Sequence, residues 1–499
     1  MPQTITYKKG PGQWLRQRLF IQKLNSPAGY LLMAILSVGL AYSATTDFYL
    51  INAGIVGVAV LILLFYICFS KPLIGFYFTS VLSFFVFYPS HIFILEKSFA
   101  IVCEVLLYAC YIGALFVRHK SPVKPASSFI KSPITIGFIL LSCIMLLEIA
   151  NPNVHSVAGW IHAWRRYLFI IAIYLCAYKL LDTYKKVVQY FNIIIGVSVL
   201  AALYGCLQQF YGFLPFEIRY IEADPRLYGL YFQVGEWRKF SFLSDPVSFG
   251  MLLAVISLFT FILGIYEKRT KYKIIYLGLT VLMYISMTYS GTRSANIVMP
   301  AGIAFYAVLT IQNKKTLLLI IASVLIYLFI MYVPVYSNVT LNRFRSTFSI
   351  NSNPSMDVRD VNRKGIQPYI YSHPIGGGLT TAGDPGKDYN PGHVLSDFPP
   401  DSGLLEAAVE IGWVGLTVLM VFYFLVLFQG IHLYFKARSP EVKKYYLAIT
   451  VCCFTLILVE YAQSYIRQFP IIFFFFPAIA MLSRLYDFDK DLQTHKTDK

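Results

Sequence analysis

Long unbroken apolar runs dominate the chain, with little two-residue or 3.6-residue alternation. Fourteen of them, near 28–46, 50–69, 73–94, 99–117, 130–150, 165–181, 187–211, 247–266, 273–290, 294–311, 316–335, 413–435, 445–466 and 468–485, each approach the ~20 residues that cross a bilayer. Only two polar stretches between runs are long, 212–246 and 336–402. Lipid leaves no partner for an open strand edge, so runs of this length predict helices. The fold expected is an all-α polytopic membrane protein with about 12–14 transmembrane helices, two or three short runs being able to merge or turn back. Three sections follow: N-terminal helices over 1–200, a second transmembrane domain over 201–485 that includes the large 336–402 loop, and a tail over 486–499.

Composition agrees and adds an orientation. Of 499 residues, 57% are hydrophobic and 13% charged, about half the charge of a soluble domain. Lys and Arg stay on the cytoplasmic side of membrane proteins. With an even span count and the N-terminus inside, 27 basic residues fall inside and 15 outside, while the acids divide 7 inside and 18 outside or within spans. Both long loops then face outward. The net charge of +17 is thus mainly a topology signal, and its scatter over short loops speaks against nucleic acid as a partner. The basic start followed by an apolar run reads as an uncleaved first anchor, since no small-residue cleavage site follows it. The eight cysteines all lie within runs, without metal-ligand spacing, and read as small packing residues. No metal or other cofactor is expected, and no inner loop carries a phosphate-binding glycine motif.

The outer face carries many arginines. Arg165 and Arg166 end the loop NPNVHSVAGWIHAWRR, and Arg293 sits in YSGTRSANIV, a turn too short to let its side chain retreat from the membrane surface. Further arginines lie in the long loops at 219, 226, 238, 343, 345, 359 and 363. The guanidinium fork suits phosphate oxygens. The same side chains would equally snorkel to headgroups or pair with acids, an alternative that fits the loop arginines better than Arg293. Outer aromatics such as Trp160, Trp164, Tyr220, Tyr228, Tyr231 and Trp237 fit either sugar stacking or an interfacial belt.

The second loop runs through SHPIGGG, with Gly376 and Gly378, into PPDSGLLEAAVEIGWVG. Pro399 and Pro400 stop the loop before a helix that Asp401 or Ser402 would N-cap, with Glu406 and Glu410 on one face. Gly403 to Phe435 spans 33 residues, about 50 Å of helix, too long for one ~30 Å crossing. Its first turns are therefore expected at the outer interface, with the span starting near Trp413.

Three blocks, FSFLSDPVSFG at 240–250, YSGTRSANIV at 289–298, and SHPIGGG with the 401–415 stretch, resemble the O-antigen ligase-like superfamily of bacterial inner-membrane glycosyltransferases. That superfamily also holds O-antigen and exopolysaccharide polymerases, and the likeness covers roughly 200–480. The last block resembles the pattern His-[Asn/Ser/Gln]-x9-Gly-x2-Gly, with Ser402, Gly412 and Gly415 in register and Glu410 two residues before the first glycine. Asp401 stands where the ligases have His. The resemblance implies transfer of a saccharide from undecaprenyl pyrophosphate to a sugar hydroxyl on the periplasmic face, for lipopolysaccharide or exopolysaccharide synthesis. Arginines would hold the pyrophosphate, with Arg293, Arg165 and Arg166 the nearest fits, and the His would take the acceptor's proton. The acceptor is a growing glycan or lipid A-core, and a chain-length regulator or flippase is a further partner.

Asp401 would serve as a weaker base, since a carboxylate has a reference pKa of ~3.9 against ~6.5 for imidazole, unless a low-dielectric site raises it. Alternatively Asp401 is only a cap and His393 or His373 supplies the imidazole. An acidic residue at this point tilts the reading from ligase toward polymerase. The rival class is a secondary transporter or exporter of an anionic solute, favoured by the apolar-run acids Glu104, Glu148 and Glu460. Against it, no paired broken helices recur in two halves. A non-catalytic envelope scaffold leaves the Arg293 turn without a reason.

Overall fold

The computed structural model describes residues 22, 25–44, 49–94, 99–116, 129–154, 156–233, 235–335, 339–348 and 354–497. The basic N-terminal segment YKKGPGQWLRQR, the RHKSPVKP connection, residues 336–338 and 349–353 of the outer loop and the last two tail residues lie outside that set.

Each of the fourteen apolar runs is helical over most of its length. Six helices among the described residues are long and apolar enough by themselves to cross a membrane: Pro133–Ala150, Tyr184–Tyr211, Pro246–Tyr266, Lys314–Tyr332, Gly412–Lys436 and Pro440–Val459. Shorter apolar helices include Pro72–Leu82, Ala100–Phe116 and Arg293–Leu309. The chain is an all-α polytopic membrane protein. The run at 73–94 is divided in two, since Pro89 belongs at the start of a helix and opens a separate turn at Tyr88–Phe93.

Burial ranks the helices from centre to rim. In Pro246–Tyr266, 89% of the apolar window is buried, as a helix hydrophobic on every side requires. In Lys314–Tyr332 the figure is 6%, so that helix presents nearly all its surface outward. The central helix packs against Thr270–Thr288, Arg293–Leu309 and Pro440–Val459. Six of the eight cysteines are buried, Cys206 is half-buried and Cys143 exposed.

The 212–246 stretch is more ordered than a loop. Pro215 and Pro225 each open a short helix, Pro215–Glu222 and Pro225–Tyr231, and Phe232–Gln233 pairs antiparallel with Glu236–Trp237. Ile221, Tyr231 and Phe240 form a small core there, flanked by Tyr220 and Trp237. Trp160 donates from its indole to the Met145 carbonyl at 2.9 Å and stacks on Trp164. These aromatics are engaged in packing.

The 403–435 run breaks once, at Ile411–Gly412, into Gly403–Glu410 and Gly412–Lys436. Residues 374–378 dock at the break. Gly377 and Gly378 donate their N–H groups to the Val409 and Glu410 carbonyls, both at 2.8 Å, and Val414 donates to Pro374 at 3.2 Å. The last carbonyls of the short helix, left without helical partners, are satisfied this way. Gly412 (φ +66°) and Gly376 (φ +76°) face each other, and a Cβ on either would collide with the other's backbone. Gly412→Ala should therefore cost more than ~2 kcal/mol, combining left-handed strain with displacement of the docked segment. Gly278→Ala, facing open space within Thr270–Thr288, should be neutral or slightly stabilising. Thermal melting in detergent checks both; a Gly412→Ala protein melting with wild type would refute the account.

Candidate functional site

The polar groups of the two long loops converge on three short non-helical stretches: the Ser290–Thr292 turn, the 460–471 connection and the loop before Gly403.

Arg238 reaches into the first. It donates from Nε to the Ser290 carbonyl at 2.8 Å, from Nη1 to Leu230 at 3.1 Å and from Nη2 to Thr292 Oγ1 at 3.2 Å. Burial, and then the neighbouring Arg343 cation, hold its pKa down to about 10. Arg343 lies against Gly291 and donates to the Gln233 carbonyl. Burial lowers its pKa; Glu236 opposes the shift and Arg293 adds to it. Arg293 opens its helix beside these two, partly buried. Three guanidinium groups thus gather around one turn, where each lowers the cost of bringing in an anion.

Ser294, the next residue, donates to Gln463 Oε1 at 3.3 Å and ties this corner to the second stretch. There Glu460 folds the chain back on itself, its Oε1 accepting the Tyr465 and Ile466 N–H groups at 2.7 Å. The turn presents Arg467 to Glu406, with Nη2 2.6 Å from Oε2, and Ser464 Oγ donates to the same oxygen at 3.1 Å. The Glu406 carboxylate is thereby held by two donors.

The third stretch resolves the role of the capping pair. Ser402 caps Gly403–Glu410, its Oγ accepting the Leu405 N–H at 3.0 Å. Asp401 does not cap. Its carboxylate lies 3.9 Å from Arg359 Nε and stays 37% exposed, within reach of solvent. Arg363, one turn on, donates to the Tyr461 carbonyl at 2.7 Å and covers that ring. The Pro354–Ser372 helix is thus held over the site by its arginines.

Glu410 sits at the far end of the capped helix, partly buried, with the Ala382 N–H at 3.4 Å on Oε1 and the Thr380 backbone also in reach. Burial, reinforced by the Glu406 carboxylate and opposed by Arg467, pushes its pKa up to about 8. Among the described residues it makes no ion pair, unlike Glu406 and Asp401.

Consecutive residues on a helix point about 100° apart, and Arg165 and Arg166 part accordingly. Arg165 pairs with Glu104 at 3.3 Å. Arg166 has Arg467, Glu406, Glu410 and Glu104 as its charged neighbours. His162, a turn earlier, meets the Tyr389 hydroxyl at 3.0 Å through Nδ1. Burial and then the Arg166 and Arg165 cations lower its pKa, so its ring is neutral at pH 7.

His393 lies against Gly377, and His373 precedes that glycine run. The His373 ring stacks on Tyr369 at 4.0 Å, with Nδ1 2.9 Å from the Tyr369 carbonyl; His393 Nδ1 accepts the Leu395 N–H at 3.1 Å. Each therefore commits one ring nitrogen to holding its own loop. The acids that favoured a transporter also have fixed partners: Glu104 on Arg165, Glu460 on two N–H groups, Glu148 on Asn151 at 2.8 Å.

Residues 278–420 match the family model described as O-Antigen ligase. Over this segment, under a third of the chain, the protein is similar to the O-antigen ligase-like superfamily. The matched segment of this ligase-like protein carries the Arg293 turn, the outer loop, the glycine run and Asp401 to Gly415. It is narrower than the 200–480 stretch indicated by the motifs, leaving out 240–250 and Arg467, while Arg166 lies outside both. No curated protein matches the chain. At the coarse level the match supports a membrane enzyme of O-antigen ligase or polymerase type.

Arg467 was absent from the sequence-based site, although a signal existed. It occupies the short connection between two apolar runs, as Arg293 does. Glu406 and His162 carried no such mark; only their neighbours distinguish them.

Proposed function

We propose that the protein transfers a saccharide from undecaprenyl pyrophosphate to a sugar hydroxyl on the periplasmic face of the bacterial inner membrane, as a polymerase in preference to a ligase. The observation that carries this reading is the joining of the Arg238–Arg293–Arg343 corner to the carboxylates of 401–410 through Ser294–Gln463 and Arg467–Glu406.

The chemistry asks for two things. As the anomeric carbon leaves the phosphate oxygen, the electron pair of the breaking bond goes to the pyrophosphate, and that charge must be met by fixed cations. Arg293 serves best, because it opens its helix at the short turn where Arg238 and Arg343 add their charge, and Arg166 stands at the other edge. As the acceptor oxygen forms its new bond to carbon, its proton must go to a base. Asp401 takes that part: it is accessible, held beside Arg359 and free of capping duty. An acidic residue at this position also supports polymerase over ligase.

Arg293→Lys tests the reading. A point charge does not replace a planar fork on pyrophosphate, so transfer should fall by ~10-fold or more while the protein still accumulates in the membrane. In a deletion strain carrying the variant, loss of long chains with single lipid-linked repeats remaining identifies a polymerase. Loss of all attached glycan while lipid-linked polymer builds up identifies a ligase. Full activity moves the pyrophosphate away from this turn.

A further inference from the structure

The end of the bundle opposite the Arg293 turn holds a second cationic feature, independent of the transfer chemistry. A cavity of about 570 Å³ opens where Pro246–Tyr266 ends, Thr270–Thr288 begins, and Arg293–Leu309 turns into Lys314–Tyr332. Lys268, Lys273 and Lys315 line it. Among the described residues none of the three makes an ion pair. The one carboxylate in the wall, Glu267, is already neutralised by Lys444 at 3.1 Å and accepts the Lys268 and Arg269 N–H groups. The cavity therefore carries uncompensated positive charge.

Its walls are fixed. Asn313 caps the Lys314–Tyr332 helix by accepting the Lys315 N–H at 3.1 Å, and Thr310 and Thr316 join across the turn at 3.0 Å. The N-terminus of that helix adds its own partial positive charge to the mouth. Beyond Lys315 the lining becomes apolar, at Leu318, Leu319 and Ala322. From Lys315 to Ala322 the helix rises ~10 Å, from the interface into the hydrocarbon. This helix exposes nearly all its apolar surface, so the crevice opens sideways to lipid.

A cationic mouth leading into an apolar, laterally open wall matches an amphiphile with a phosphate headgroup. We infer that this cavity binds an anionic phospholipid, its phosphate among Lys268, Lys273 and Lys315 and an acyl chain along Leu318, Leu319 and Ala322. Free phosphate would satisfy the lysines but would leave the apolar wall unused.

The test uses the purified full-length protein. In phosphatidylcholine nanodiscs, adding phosphatidylglycerol should raise the melting temperature by several degrees. Phosphatidylethanolamine should not, nor should inorganic phosphate with phosphatidylcholine alone. The triple variant Lys268→Gln, Lys273→Gln, Lys315→Gln should lose the rise, whereas Lys271→Gln with Lys314→Gln, which do not line the cavity, should keep it. If the triple variant does not fold, Leu318→Trp serves, filling the apolar wall while leaving the lysines; it too should lose the rise. An equal rise from phosphatidylethanolamine, an equal rise from inorganic phosphate, or a full rise in the triple or Leu318→Trp variant would each overturn the site.

Discussion

Asp401→Asn should reduce transfer by ~10²-fold or more and leave thermal stability at the wild-type level. The size follows from what general-base catalysis contributes, ~10²–10⁴-fold. Asn matches Asp in shape and keeps an oxygen facing Arg359, but it accepts no proton at neutral pH. Stability is preserved for a reason specific to this chain: the helix that follows is capped by Ser402, whose oxygen receives the Leu405 N–H. The ion pair with Arg359 is long, at 3.9 Å, and about a third exposed on each side, so its loss is worth little. Asp401→Ala should then behave as the Asn variant does, which a cap would not permit, since cap loss costs ~1 kcal/mol. Ser402→Ala is the matching control, destabilised by about that amount. Wild-type glycan made by the Asn variant would remove Asp401 from the chemistry and return attention to Glu410 or a histidine.

The second large effect is on stability against pH and belongs to Glu410. An unfolded glutamate ionises near its ordinary 4.5, but in the folded protein this carboxyl keeps its proton to about 8, because burial and the Glu406 carboxylate disfavour the anion. Between those values the folded chain holds a proton that the unfolded chain has released, so raising the pH favours unfolding. The contribution is fully present below about 4.5 and is lost as pH rises through about 8. Glu410→Gln fixes the neutral form. It should melt with wild type near pH 5 and several degrees above it near pH 9, the gap opening between. Parallel melting curves across that range would show that the carboxyl is not held neutral.

Sequence and structure divide along the range of the interactions. The helices were legible because bilayer-length apolar runs have one solution in lipid, and each run is a helix here. Arg293 could be singled out because a short turn leaves a long cation nowhere else to go; Arg467 carried the same signal and was not singled out. The break in the 403–435 run was legible in part, from length alone. Its exact place needed Gly412 opposite Gly376, a backbone contact between residues 36 positions apart.

Local pattern thus determined the membrane class, the helices and the arginine placed in a short turn between two of them. The tertiary structure alone decided which side chains share a field: that Arg165 turns to Glu104 while Arg166 faces Glu406 and Glu410, that Ser402 and not Asp401 caps, and that Glu410 keeps its proton. A propensity or a span is set by neighbours along the chain. A carboxyl's charge state is set by burial and by nearby charge, and here burial and the Glu406 carboxylate outweigh Arg467 and the Ala382 N–H, both brought close from elsewhere in the chain.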